Sequence, residues 1–83
     1  MEEKYYNLHR LTSRNEEILR DKKCICIYCK KEFDYKEIDN YIPDSDGLTA
    51  ECPYCNIDSV LPIEYDGYKI TKEDIDTLNE MYF

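Results

Sequence analysis

Two short cysteine pairs constrain this chain more than any other feature of its sequence. The pairs are Cys26/Cys29 and Cys52/Cys55, and each has the spacing Cys-x-x-Cys. A tight turn of this kind places two sulfurs on one side of an ion, and two such turns, or knuckles, provide the four thiolates of a tetrahedral zinc site. The knuckles are separated by 22 residues, slightly more than the roughly 15–20 of the common four-cysteine pattern.

The length of the chain makes such a crosslink important. We assign residues 1–83 to a single domain, whose core alone would supply only about 3–5 kcal/mol of stability. One Zn²⁺ per chain, held by all four cysteines of the knuckles, leaves no coordination position for water or substrate, which is typical of a structural ion. Four thiolates also bind iron, but zinc is the commoner outcome for this pattern. We therefore expect a zinc ion with a folding role and no enzymatic activity.

The fifth cysteine, Cys24, lies two residues before Cys26 and therefore on the same face of a strand. It could compete as a ligand, remain a free thiol or pack as a small buried hydrophobe, and we favour the last. A total of five cysteines argues against a disulfide framework, because five is an odd number. His9 is a weaker candidate ligand, since it stands beside Arg10 in a helical pattern.

The apolar patterns predict a small α+β fold of the zinc-ribbon type, in which short antiparallel strands carry the knuckles and helices flank them. In residues 1–23, apolar positions recur at spacings of three and four, which indicates a helical segment. This segment is either one long helix or two helices broken near Ser13. Ser13 and Glu16 also have the spacing of a capping box.

The rest of the chain divides into two predicted parts. Residues 24–65 form the zinc-ribbon core, and within it a cap signal and helical spacing predict a short helix near residues 35–42. This helix would account for the extra length between the knuckles. Thr71 begins a second cap signal, which predicts a C-terminal helix over residues 71–82.

Charge and hydropathy limit the classes of partner. The net charge is −8, and a surface of that sign repels the phosphate backbone of nucleic acids. No segment approaches the roughly 20 apolar residues of a membrane span. The first residues lack the apolar region of a secretory signal. We therefore expect a cytoplasmic protein that binds neither membranes nor, in its main role, nucleic acid.

Several motifs of the chain resemble those of a small bacterial family known only as cytoplasmic proteins, which has no assigned activity. The motifs are Cys-x-Cys-x-Tyr-Cys, Cys-Pro-x-Cys-x-Ile-Asp-Ser-Val and Ile-Thr-x-Glu, and the likeness covers residues 9–83. The resemblance implies a zinc-ribbon-like centre flanked by helices. Asn56 departs from the family, which has glycine there, but asparagine tolerates the left-handed backbone of such a turn. The loop over residues 61–66 also departs from the family pattern.

The first functional hypothesis is a protein-binding module. Nine tyrosines in so short a chain exceed what a small core can cover, and tyrosine is enriched at interfaces. We expect Tyr28 and Tyr54, at the knuckle tips, and Asp58 and Ser59 to be candidate recognition residues. An acidic surface favours a basic partner. The protein would then act as an inhibitor of that partner, or in an immunity-like or antitoxin-like role.

Two alternatives use the same motifs differently. A nucleic-acid-associated regulator would use Lys30 and Lys31 of the first knuckle and stack bases on the two knuckle tyrosines. A thiol redox protein would use Cys-x-x-Cys as a reversible disulfide, but two matching pairs favour a metal. An Asp58–Ser59 nucleophile is also disfavoured, because no histidine base is near it in sequence.

Overall fold

The computed structural model describes residues 2–83, and its regular elements are short. Met1, part of the predicted segment 1–23, lies outside the described residues. The helices are α1 (Glu2–Arg10), α2 (Glu16–Leu19) and α3 (Lys72–Tyr82). The strands are β1 (Lys23–Cys26), β2 (Glu32–Asp34), β3 (Tyr41–Asp44), β4 (Gly47–Ala50), β5 (Val60–Pro62), β6 (Glu64–Tyr65) and β7 (Tyr68–Lys69). None of the helices described between residues 2 and 83 is long and apolar enough to cross a membrane.

Strand β1 is the centre of a three-stranded antiparallel sheet with the order β2-β1-β5. Cys24 on β1 pairs with Phe33 on β2 and with Pro62 on β5. Two separate hairpins, β3–β4 and β6–β7, complete the strand pairing. Asp66 and Gly67 connect β6 to β7 with φ angles of 53° and 82°, as a two-residue type I′ turn requires. The expected small α+β architecture with antiparallel strands is thus present.

The side chains of β1 alternate between two buried clusters, because successive residues of a strand point to opposite faces. Cys24 and Cys26 lie in the cluster on the metal side, and Ile25 lies in the cluster under helices α1 and α3. The metal-side cluster also contains Leu19, Phe33, Ile38, Ala50, Cys52 and Val60. The helix-side cluster also contains Leu8, Ile27, Leu61, Ile70, Ile75 and Leu78. Strand β1 therefore contributes side chains to both clusters of the core.

The N-terminal segment consists of two helices, which settles the alternative left open by the periodicity. Arg14 has a φ angle of 47° and its backbone N–H donates to the Thr49 hydroxyl at 2.8 Å, so the helical hydrogen-bond ladder stops there. The predicted capping box from Ser13 does not form. Instead Asn15 precedes α2, and Glu16 accepts hydrogen bonds from Arg20 and Tyr35.

The predicted helix near residues 35–42 is wrong. Only a single 3₁₀ turn, Tyr35–Glu37, is helical there, and it has the expected cap at Asp34. The chain then enters β3, where Ile42 pairs with Thr49 of β4. The apolar residues in this stretch satisfy a helical period over too short a length to exclude a strand, and the hairpin with β4 supplies the backbone partners.

Helix α3 begins at the predicted cap and packs against α1. The Thr71 side chain accepts from the backbone N–H of Asp74, and Asp74 accepts from the N–H of Thr71, which completes a capping box. The buried Asp74 carboxylate also accepts from Tyr5 of α1 at 3.3 Å and pairs with Lys4 at 3.1 Å. Met81, near the end of this helix, is 44% exposed.

Candidate metal centre

The four cysteines of the knuckles come together in one group. Their sulfurs all lie within 4.8 Å of one another. Two separations across the knuckles are 3.6 Å, from Cys26 to Cys55 and from Cys29 to Cys52. Sulfurs at the corners of a tetrahedron about 2.3 Å from a central zinc would be roughly 3.8 Å apart. The four cysteines are therefore placed to bind a metal ion.

The two knuckles have the same backbone geometry. The carbonyl of the first cysteine accepts from the N–H four residues later, at 2.9 Å for Cys26–Lys30 and 2.9 Å for Cys52–Asn56. Lys30 and Asn56 have left-handed φ angles of 65° and 67°. Asn56 thus takes the left-handed backbone conformation expected of it. In each knuckle the first cysteine, Cys26 or Cys52, is buried, and we call its sulfur the deep sulfur. The second cysteine, Cys29 or Cys55, is partly exposed, and we call its sulfur the outer sulfur.

Hydrogen-bond donors surround the deep sulfur of the first knuckle. The Ser59 hydroxyl lies 3.3 Å from Cys26 Sγ. Burial acts to raise the pKa of Cys26, but the hydrogen bonds from Ser59 and from the backbone N–H groups of Cys29 and Tyr28 hold that pKa below its ordinary value. In the second knuckle the Tyr54 N–H similarly lies 3.4 Å from Cys52 Sγ. Donors of this kind stabilise thiolate, which is the ligand form of cysteine.

The outer sulfurs are harder to ionise. Burial, together with the nearby sulfurs of the other cysteines, raises the pKa of Cys29 and raises the pKa of Cys55 to about 12. Four thiolates this close together repel one another. A bound cation removes that repulsion, so metal binding at this site releases protons.

Ser59 and Asp58, predicted as candidate recognition residues, lie in very different surroundings. Ser59 is only 3% exposed and its hydroxyl faces Cys26, so it is part of the support around the sulfurs and cannot be reached by a partner. Asp58 is exposed. The sequence pattern alone did not show which of these two neighbouring polar residues is buried. In the structure, burial alternates along the stretch that leads into β5, so that Asp58 is exposed and Ser59 is buried.

Cys24 lies outside the four-sulfur group. It is fully buried in the metal-side cluster, and its thiol donates to the Lys22 carbonyl at 3.6 Å. Burial raises the pKa of Cys24 to about 12, which keeps it a neutral thiol. His9 is also separate from the sulfurs; its ring stacks on Tyr82 at 3.8 Å and so joins α1 to α3.

The tyrosines at the two knuckle tips differ although they occupy equivalent positions. Tyr54 donates to Glu37 at 2.6 Å, and its ring lies 5.9 Å from the ring of Phe33. Tyr28 instead meets Phe83 edge to face, with ring centroids 5.3 Å apart. Both tyrosines are about half exposed, at 51% for Tyr28 and 52% for Tyr54. Within the described part of the chain, a hydrogen bond from the side-chain hydroxyl holds Tyr54 but not Tyr28.

Two asparagines that sequence reasoning missed hold the knuckles in place. The Asn15 amide donates to the Val60 carbonyl at 2.8 Å, and its oxygen accepts from the Ala50 N–H at 3.0 Å. The Asn79 amide donates to the carbonyls of Ile27 and Tyr28, at 3.2 and 3.3 Å. Asn15 interrupts an apolar helical pattern, and a polar residue at a core position is the one signal that indicates such a role.

Comparisons of the chain with protein-family models, with curated proteins and with solved structures gave no match. The resemblance to the small bacterial family of cytoplasmic proteins stays a prediction.

Proposed function

We propose that this chain is a zinc-dependent, non-catalytic protein-binding module. One Zn²⁺ held by Cys26, Cys29, Cys52 and Cys55 would fix the two knuckles, and the surfaces that they position would bind a partner protein. The observation that carries the proposal is the grouping of four sulfurs within 4.8 Å. Cysteine at every corner of a tetrahedral shell is the donor set of a structural zinc site.

The arrangement of the sulfurs favours a metal over reversible disulfide chemistry. A Cys-x-x-Cys redox pair reacts within one motif. Here the sulfurs of both motifs form one group within 4.8 Å, with 3.6 Å from Cys26 to Cys55 and from Cys29 to Cys52 across the two motifs. A central ion explains why the sulfurs of both knuckles converge on one point.

The charge of the protein indicates the chemistry of the partner. The net charge is −8, so a basic protein is the complementary partner. An inhibitor or antitoxin-like protein that covers a basic target would have these properties. Nucleic-acid binding receives less support, because Lys30 is paired with Asp76 at 2.8 Å and Lys31 lies over the Tyr54 ring.

Elemental analysis tests the metal part of the proposal. Protein purified without added metal should contain about one zinc per chain, and iron in its place would contradict the assignment. Replacement of the metal with Co²⁺ should give the absorption of a tetrahedral four-thiolate site. Cys52→Ser should lose the metal, whereas Cys24→Ser is the matched control and should keep it.

Affinity capture tests the binding part. Zinc-loaded protein is immobilised and exposed to nuclease-treated lysate from the source cells, and the retained proteins are identified by mass spectrometry. We expect a basic protein, retained in stoichiometric amount and released by salt. Retention of nucleic acid alone, in a parallel experiment without nuclease, would contradict the proposal and favour the nucleic-acid alternative.

A further inference from the structure

The end of helix α3 and the tip of the first knuckle form one continuous exposed surface. Phe83 is 54% exposed, and its ring packs edge to face on that of Tyr28. Glu80 is exposed near the end of the same helix. It lies four residues after Asp76 and three before Phe83, and this spacing places Asp76, Glu80 and Phe83 on one face of the helix. We call Tyr28, Glu80 and Phe83 the knuckle–helix surface.

Polar contacts between α3 and the first knuckle hold the two parts of this surface together. Asn79 donates from α3 to two carbonyls of the first knuckle, at 3.2 and 3.3 Å. Asp76, one turn earlier, pairs with Lys30 of the same knuckle at 2.8 Å. The knuckle itself is fixed by the cysteine group. A partner that binds here therefore does not have to order the surface first, which lowers the entropic cost of binding.

The internal repetition of the knuckles isolates what is unusual about Tyr28. The equivalent Tyr54 is used internally, since its hydroxyl bonds Glu37 and its ring packs near Phe33 and under Lys31. No hydrogen bond ties the Tyr28 hydroxyl to any other residue between 2 and 83, and its aromatic neighbour is itself exposed. The first knuckle and the end of α3 thus present two exposed aromatic rings, Tyr28 and Phe83, whereas Tyr54 in the second knuckle already has polar and cationic partners.

The electrostatic character of the surface is negative. Lys30 and Asp76 neutralise each other, whereas Glu80 forms no salt bridge among residues 2–83. The surface also lies at the C-terminal end of α3, where the carbonyls of a helix favour a positive charge. Exposed aromatic faces bind arginine and lysine through cation–π contacts. The Glu80 carboxylate, the C-terminal end of α3 and the exposed aromatic faces all favour a basic ligand.

We propose that the knuckle–helix surface is the docking site for a partner segment that carries arginine or lysine beside a large apolar side chain. The inference depends on the proposed protein-binding function and names the surface that performs it. The apolar side chain of the segment would cover the Tyr28 and Phe83 rings, and its cationic group would pair with Glu80.

Selection from a phage library of random 12-residue peptides on the zinc-loaded protein tests the inference. We expect enriched peptides to combine basic with aromatic or large aliphatic residues. A synthetic copy of the most enriched peptide should bind at least tenfold more weakly to Tyr28→Ala and to Glu80→Lys. Two matched controls should bind within about twofold of the wild type: Tyr54→Ala at the equivalent knuckle position, and Glu73→Lys, which changes the net charge equally at the other end of α3.

Zinc content and circular dichroism of each variant establish that it is folded before binding is measured. If Tyr28→Ala does not fold, Phe83→Ala tests the same ring pair from the helix side. Enrichment of acidic peptides, equal binding to the Tyr28 and Tyr54 variants, or no enrichment would overturn the docking site. The broader protein-binding function is judged separately, by capture of a basic partner from lysate, and survives if that partner binds the Tyr28→Ala and wild-type proteins alike.

Discussion

Lys30 and Asn56 share one backbone conformation at the same position of the two knuckles, with φ angles of 65° and 67°. Each follows the second cysteine of its motif, and each donates its N–H to the carbonyl of the first. The left-handed region is costly for residues with a Cβ and least so for asparagine and glycine. The knuckle turn therefore depends on what side chain stands at this place.

Asn56→Val should destabilise the zinc-loaded protein by about 1–3 kcal/mol, because a β-branched side chain strains the left-handed backbone. Urea unfolding measured by circular dichroism gives the change in free energy. Asn56→Gly, which removes the strain, is the control and should be at least as stable as the wild type. Equal stability of the valine and glycine variants would contradict the knuckle geometry.

Removal of the metal should unfold most of the chain. The metal-side cluster contains two of the four grouped cysteines, Cys26 and Cys52, so loss of the proposed metal removes the crosslink that joins the two knuckles inside this cluster. Binding of structural zinc supplies on the order of 10 kcal/mol in small domains. A strong chelator should abolish the circular dichroism signal, and added zinc should restore it. A chain that keeps its signal and its protease resistance without metal would contradict the structural role.

Asn15→Ala should cost about 2–4 kcal/mol, because it leaves the Ala50 N–H and the Val60 carbonyl buried without partners. The side chain is fully buried and connects β4 to β5, so the loss loosens both approaches to the second knuckle. The unfolding free energy of the zinc-loaded protein is again the measurement. Ser13→Ala is the control; because the Ser13 cap does not form, that change should be nearly neutral.

Asp74 should make stability depend on acid. Burial opposes its ionisation, but hydrogen bonds from Tyr68, Thr71 and Lys4 outweigh burial and lower the pKa of Asp74 from 3.8 to about 2. A carboxylate whose pKa is lower in the folded than in the unfolded chain stabilises the fold above the unfolded value, and this contribution is lost as the pH falls through the folded value.

Asp74→Asn should therefore be less stable than the wild type by about 2 kcal/mol above pH 4. The difference should shrink as the pH falls from about 4 towards 2. Acid also weakens metal binding, but it does so in both proteins, and the difference between them isolates the carboxylate. The exposed Asp58→Asn variant should stay within about 0.5 kcal/mol of the wild type across the range. A difference for Asp74→Asn that does not change with pH would refute the role of its charge.

Local signals in the sequence predicted the parts of the structure that depend on neighbouring residues. The Cys-x-x-Cys spacing locates both knuckles, and the cap signal at Thr71 locates the start of α3. In each case the partners lie within a few residues of one another. The expected antiparallel strands around the knuckles follow from the same local patterns.

The parts that sequence reasoning missed depend on distant partners. Asn15 bonds residues 35 and 45 positions away, so its burial cannot be read from its helical neighbours. The stretch from Ile38 to Ile42 has helical spacing, but pairing with β4 makes its end a strand. From the sequence, Ser59 resembles a surface residue. Its burial depends on Cys26, whose sulfur lies 33 positions away in sequence and 3.3 Å from the Ser59 hydroxyl in the fold.

The clamp from Asn79 to the first knuckle spans 52 residues to Ile27, and this has a consequence for the order of events during synthesis. All four sulfurs have left the ribosome once the segment through Cys55 has emerged, whereas the clamp follows only after α3 is complete. A nascent chain between these two points has all four cysteines of the proposed zinc site, while its first knuckle is unclamped and its helix-side core is open. The proposed metal site is therefore complete in the emerging chain before the helix-side core, and the later arrival of α3 closes that core and clamps the first knuckle.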